Sequence, residues 1–192
     1  MRHFTNTTEM PQTKIYYLIG MMGVGKSSIG LGAARKLNIT FVDLDDHIRK
    51  VENKSINEIF KSHGEQKFRE MEMKYLRELD FDGAPVAIVS TGGGTPAFND
   101  NMDFMNQNGR TIWFQTPVSE IVERLKDMKD DRPLINTVKN NMMEEQLKKI
   151  YEARLPIFEK ANFILENVGY DYEVIEKLVD LITSDLETFS NK

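Results

Sequence analysis

The residues Gly20-Met21-Met22-Gly23-Val24-Gly25-Lys26-Ser27 have the spacing G-x-x-x-x-G-K-[ST]. That spacing suits one task, which is to cradle the phosphates of a nucleoside triphosphate. Its glycines let backbone N–H groups turn inward around phosphate oxygens, and a helix starting behind them adds the positive end of its dipole. Lys26 can reach the β- and γ-phosphates, and the Ser27 hydroxyl can ligate Mg²⁺. Gly23, Val24, Gly25, Lys26, Ser27 and Ser28 are therefore the expected nucleotide-binding residues. The apolar run Ile15–Ile19 lies directly before them and the amphipathic stretch 26–37 directly after, which is the strand-loop-helix context the motif needs. ATP or GTP binding follows, and no substrate is named by it.

Many such nucleotide-binding proteins end a later strand with an aspartate that holds Mg²⁺. The run Val86–Ser90 passes into Thr91-Gly92-Gly93-Gly94 without a carboxylate. The nearest candidates stand in Phe41-Val42-Asp43-Leu44-Asp45-Asp46. Two residues apart on an extended strand, Asp43 and Asp45 would point to the same side. In an open α/β sheet that strand end faces the ligand crevice. One carboxylate would then hold hydrated Mg²⁺, and the other would accept a hydrogen bond from a substrate hydroxyl. The plainer alternative is that Asp45 or Asp46 caps the following helix.

Three cations carry the remaining chemistry. Arg154 lies on the same helical face as Leu147, Ile150, Tyr151 and Phe158. A charge on an apolar face needs a partner, and a guanidinium pairs best with a carboxylate or phosphate in a forked geometry. That partner is either a ligand or an internal group such as Glu72 or Asp43. Arg69 and Glu72 are three apart on an expected helix and, from that helix alone, read as a surface ion pair. Arg132, before Pro133 in a polar loop, has the placement of a lid arginine that stabilises charge on a transferring phosphoryl group. An ordinary solvated charge is the alternative there. Gly92-Gly93-Gly94 allows close backbone approach to a ligand, or is simply a turn. His3, His47 and His63 are scattered and imply no metal cluster.

These residues need a sheet to hold them. Five runs, 15–19, 41–44, 86–90, 111–114 and 163–165, are near-continuously apolar, as in parallel strands buried on both faces. Helical spacing appears at 26–37, 65–79, 118–128, 144–158 and 172–187, so the chain reads as α/β. Pro156 should bend or end its helix. Residues 46–82 hold too much helix for one crossover and read as a helical insertion. Residues 127–142 are polar and long enough for a mobile lid. Residues 1–13 read as a disordered polar leader, and 14–192 as one domain.

Composition narrows the partners. With 25 Lys and Arg against 30 Asp and Glu in 192 residues, the net charge is -5, against nucleic acid as a partner. The longest apolar run is far short of the roughly 20 residues of a membrane span. The absence of cysteine excludes disulfides and thiolate chemistry, and it suits a reducing cytoplasm.

The ordered set GMMGVGKS at 20–27, DLD at 43–45, GEQKFREME at 64–72, STGGGT at 90–95, RPLI at 132–135 and ARLPIFEKA at 153–161 resembles the shikimate kinase family. The resemblance spans roughly residues 14–166. It implies a three-layer P-loop NTPase fold of the nucleoside monophosphate kinase type, with a five-stranded parallel sheet flanked by helices. It further implies an ATP-dependent kinase that phosphorylates the 3-hydroxyl of shikimate in chorismate biosynthesis. Lys26, Ser27 and Asp43 would serve ATP and Mg²⁺, and Asp45 would bind the substrate hydroxyls and help deprotonate the attacking one. Arg69 and Arg154 would clamp the shikimate carboxylate, with Glu72 orienting Arg69. Gly92, Gly93 and Gly94 would line the pocket, Ile56, Phe60 and Phe68 would wall it, and Arg132 would reach the phosphates from the lid.

Adenine in this family stacks between an arginine and a proline. Arg124 or Lys126 would take the first role, while the later position reads Asn167-Val168-Gly169 with no proline. ATP and shikimate are the expected partners of a cytoplasmic monomer. A kinase for another hydroxylated acid such as gluconate, or a non-catalytic nucleotide switch, are the rival readings.

Overall fold

Five parallel strands form one sheet in the order β2-β3-β1-β4-β5, with β1 (Lys14–Ile19), β2 (Thr40–Asp43), β3 (Val86–Ser90), β4 (Arg110–Gln115) and β5 (Phe163–Glu166). The computed structural model describes residues 13–127 and 140–190. Every strand expected from the apolar runs is present. β1 is central because it is apolar on both faces: Tyr16, Tyr17, Leu18 and Ile19 are all buried. From β1 the chain fills one edge with β2 and β3 and later the other with β4 and β5. The crevice of such a sheet opens beyond the carboxyl end of the strand where the order reverses. Gly20–Ser27 begins there, at the end of β1.

The helices are α1 (Lys26–Leu37), α2 (Leu44–Glu52), α3 (Ile56–Arg77), α4 (Asn101–Asn108), α5 (Val118–Asp127), α6 (Asn140–Phe158) and α7 (Asp171–Ser190). Ile29 and Ala33 of α1 and Val174, Leu178 and Ile182 of α7 join the strand side chains in one core, and α1 packs against α7. Residues 46–82 fold mainly as the rest of α2 and α3. A capping box starts α3, with Ser55 and Glu58 each bonded to the other's backbone N–H. α3 bends at Gly64, where φ is 78° and ψ 172°. Pro156 sits in the last turn of α6, which ends two residues later at Phe158, as its missing N–H requires.

Three expectations change. β2 stops at Asp43, so Asp45 belongs to the first turn of α2 and not to the strand. The cap is Asp43 rather than Asp45 or Asp46, its carboxylate accepting from the Asp46 N–H at 3.1 Å. α4 was not signalled by apolar spacing, since only Met102 and Met105 of its apolar side chains are fully buried. Thr13, the last residue of the expected leader, donates to the Ala84 carbonyl at 2.7 Å. Residues 1–12 of that leader and Arg132 with most of the expected lid lie outside the described residues.

Candidate active site

The phosphate loop joins β1 to α1 through Gly25, whose φ of 85° makes it the cap of α1. Among the described residues no side chain caps this helix, and its first turn holds no acidic residue. Its N–H groups are thus left for an anion. Lys26 is buried against its own loop and donates to the carbonyls of Gly20 at 3.0 Å and Met21 at 2.7 Å. Ser28 turns away from the loop's concave side, its hydroxyl donating to the Gly25 carbonyl at 3.0 Å.

Ser27 shows why β3 needs no aspartate. Asp43 lies opposite Ser90 in the β2–β3 register. The Ser27 hydroxyl donates to Asp43 Oδ2 at 2.5 Å and lies 3.2 Å from Ser90 Oγ. The carboxylate has moved one strand over and faces the same hydroxyl. Asp43 therefore performs both tasks weighed from the sequence, capping α2 with Oδ1 and facing Ser27 with Oδ2. A hydroxyl and one carboxylate are hard oxygen donors, and they fit Mg²⁺, which takes one or two carboxylates along with waters and substrate phosphates. No cluster of three His, Cys, Asp or Glu able to hold a metal occurs among the described residues.

Gly92, Gly93 and Gly94 each face a different functional group. A Cβ on Gly92 would stand 2.8 Å from Glu72 Oε1, 2.9 Å from Thr95 Oγ1 and 3.1 Å from Asp45 Oδ1. On Gly93 it would strike the Met22 backbone nitrogen at 2.7 Å, and on Gly94 the Arg69 guanidinium at 2.8 Å. The run is thus a packing requirement that brings Asp45, the phosphate loop and Arg69 around one short backbone segment. Asp45 Oδ1 is shut off from solvent beside it. Gly93→Ala is expected to displace the Met22 backbone and cost about 1–3 kcal/mol of stability. Chemical denaturation checks this, and KM for ATP should rise in step. An unaltered midpoint would mean that the loop tolerates the methyl group.

The two arginines meet around Glu72. Arg69 donates from Nη1 to Glu72 Oε2 at 2.6 Å, and Glu72 also accepts from the Thr95 hydroxyl. Both charged side chains are almost wholly buried, at 8% and 1% exposure, so the pair is not the surface pair that the helix alone suggested. Burial pushes the Glu72 carboxyl up, while Arg69, Thr95 and Arg154 pull it back toward ionisation. Burial works against the Arg69 charge too, but Glu72 and Glu65 outweigh it and hold Arg69 above its ordinary value. Arg154 lies on α6 facing the same region, and donates from Nη1 to the Gly93 carbonyl at 3.0 Å and toward Met21 Sδ at 3.9 Å. Burial, and then the nearby Arg69 charge, lower its guanidinium. Glu72 is thus an electrostatic neighbour of Arg154, as one alternative held, but the bonds of Arg154 go to neutral groups.

Around this cluster, Phe60 and Phe68 pack at 4.7 Å between ring centres, and Ile56 is half-buried beside the core. Phe98 covers the Arg69 guanidinium at 4.4 Å. Arg124 donates to the Val24 carbonyl at 3.1 Å and to Glu120 at 2.6 Å, which puts it at the rim of the phosphate loop. Thr95, Phe98 and Asn167 carry functions that sequence reasoning missed. Asn167, fully buried, donates to the Val24 carbonyl at 2.7 Å and to Thr116 at 2.8 Å, tethering the loop after β5 to the phosphate loop. The available signals were Thr95 directly after the glycines and a lone asparagine just past an apolar run.

The fold and site define a phosphate-loop kinase for a small anionic molecule: a triphosphate cradle, a hydroxyl-facing carboxylate and two adjacent guanidiniums. The family model for shikimate kinase matches residues 22–183. A shikimate kinase of Persephonella marina is 38% identical over 167 residues, covering 86% of this chain and 97% of its own length. The crystal structure of shikimate kinase from Bacteroides thetaiotaomicron superposes with a TM-score of 0.80 at 31% identity, covering 88% of this chain and 98% of that one. That of Acinetobacter baumannii, solved in complex with shikimate, gives 0.79 at 30% identity, covering 92% and 96%. The chain belongs to the shikimate kinase family.

Proposed function

We propose that this chain transfers the γ-phosphoryl group of ATP to the 3-hydroxyl of shikimate, giving shikimate 3-phosphate and ADP. The observation that carries the site assignment is the pairing of Arg69 and Arg154 around one buried carboxylate, next to the phosphate loop and Asp45. Two guanidiniums against Glu72 leave one positive charge, which suits a substrate carboxylate.

In this reading Arg69 and Arg154 grip the carboxylate and so fix the ring. The Gly92–Gly94 backbone lines the pocket, and Ile56, Phe60 and Phe68 form its apolar wall. Asp45 accepts the proton of the attacking hydroxyl as its oxygen bonds to the γ-phosphorus. The bond from that phosphorus to the bridging oxygen breaks, and ADP leaves. Gly23, Val24, Gly25, Lys26, Ser27 and Ser28 hold the triphosphate, with Arg124 at the base side and Arg132 reaching over it. Ser27 and Asp43 would hold Mg²⁺, which neutralises charge on the β- and γ-phosphate oxygens when bound. Catalysis is mostly positioning and charge stabilisation.

No helix among the described residues is long and apolar enough to cross a membrane. The absence of cysteine supports a cytoplasmic setting. The described parts of the site come from one chain, which supports a monomer.

A coupled ADP-release assay with Mg-ATP tests the function. Shikimate should raise turnover far above the ATP-only rate, gluconate should not, and a chelator should abolish the signal. Turnover no faster with shikimate than without it would overturn the proposal.

A further inference from the structure

Arg69 is enclosed on every side that the described residues show. Phe98 covers one face of the guanidinium at 4.4 Å, and the bare backbone of Gly94 lies against it. Glu72 takes Nη1, while Glu65 Oε1 takes the other edge, accepting from Nη2 at 3.0 Å and Nε at 3.3 Å. That second edge is the forked one that best grips a carboxylate. The Arg69 side chain is left 8% exposed.

The two glutamates are not equivalent. Glu72 is buried and also bound by Thr95, so it stays. Glu65 is 52% exposed and is held to Arg69 as an ordinary i,i+4 pair, a class of contact that is individually weak. Directly before it stands Gly64, with φ 78° and ψ 172°, a backbone region that only glycine occupies readily. A Cβ there would meet nothing within 4 Å, so that glycine serves the bend of α3 rather than packing. Glu65 therefore sits at the first residue after a pivot, where its carboxylate can swing outward.

We infer that Glu65 is an internal competitor of the substrate carboxylate: it occupies the Nε/Nη2 edge of Arg69 in the empty site and leaves when substrate binds. This rests on the reading that Arg69 clamps the shikimate carboxylate. The incoming carboxylate restores the charge balance that Glu65 supplied, so Arg69 never faces the pocket unpaired. The exchange also sets specificity. A neutral analogue cannot repay the lost Glu65 bond, so the pocket rejects uncharged rings more strongly than two free arginines would.

The test is Glu65→Gln, alone and combined with Arg69→Lys, with KM for shikimate and for ATP measured in each. Removing the competitor should lower KM for shikimate by about two- to five-fold, the size expected for an exposed ion pair, and leave KM for ATP in place. In the Arg69→Lys background, which lacks the forked edge, the same change should do nothing. If Glu65→Gln leaves KM for shikimate unchanged or raises it while Arg69→Lys raises it, the competition is wrong and the clamp stands. An equal drop in both backgrounds also overturns the competition, because the effect would then not pass through Arg69. If Arg69→Lys itself leaves KM unchanged, it is the clamp that fails.

Discussion

Replacing Arg154 with alanine is expected to raise KM for shikimate by about ten- to a hundredfold, the value of one or two charge-assisted hydrogen bonds. KM for ATP should stay within about twofold, on the same reasoning that a phosphate-loop contact is untouched. The separation follows from geometry. The Arg154 guanidinium bonds the Gly93 carbonyl and approaches the Met21 sulfur, while Lys26 and Ser27 belong to a different face of the loop. Its hydrogen bonds go to neutral atoms, and its charge is lowered by burial and by Arg69. A cation held this way gains most from an added anion, and steady-state kinetics with each substrate varied reads that gain directly. Equal rises in both KM values would mean that Arg154 supports the loop. An unchanged KM for shikimate would reduce it to an internal partner of Glu72.

The second large effect belongs to Asp45. Asp45→Asn is nearly isosteric, so the first turn of α2 and the Asp43 cap should survive. What is lost is a proton acceptor placed beside the glycine run, with Oδ1 screened from water. A positioned general base contributes about 10²–10⁴-fold, so kcat should fall by that order while KM for ATP hardly moves. Asp43→Asn should differ, because Asp43 faces Ser27 and not the substrate. Its damage should appear as a higher Mg²⁺ requirement. A kcat for Asp45→Asn within about tenfold of the parent would leave Asp45 an orienting group, with positioning and charge stabilisation carrying the rate.

How much of this was legible in the sequence depends on range. The phosphate loop is a contiguous motif in its obligatory context, so Gly20–Ser27 and the strand before it could be read outright. The apolar runs gave all five strands, because a strand buried on both faces leaves a local trace. The switch at Leu44 left no such trace. Val42-Asp43-Leu44-Asp45 alternates like a strand, but the Asp43 cap turns the chain one residue earlier. The burial of Glu72 was hidden for another reason. Its environment comes from Thr95 and Gly92, some twenty residues away, and helix periodicity cannot report a neighbour that arrives from another segment. The glycine run was visible as a feature but not as three separate close approaches.

Charge reads differently at the level of the site. The chain is acidic, with 30 acidic against 25 basic residues, yet its proposed ligands are both anions. A few placed cations, Lys26, Arg69 and Arg154 among the described residues, decide the pocket while the remaining surface stays acidic.

The claim at the centre of this account is that one carboxylate is held between two arginines with Asp45 at the reacting hydroxyl. A crystal structure of this chain soaked with shikimate tests it most directly. The predicted result is the shikimate carboxylate within hydrogen-bond distance of both Arg69 and Arg154, the ring against Gly92–Gly94, and the 3-hydroxyl on Asp45. Shikimate bound with its carboxylate away from either arginine, or with its 3-hydroxyl away from Asp45, would contradict it.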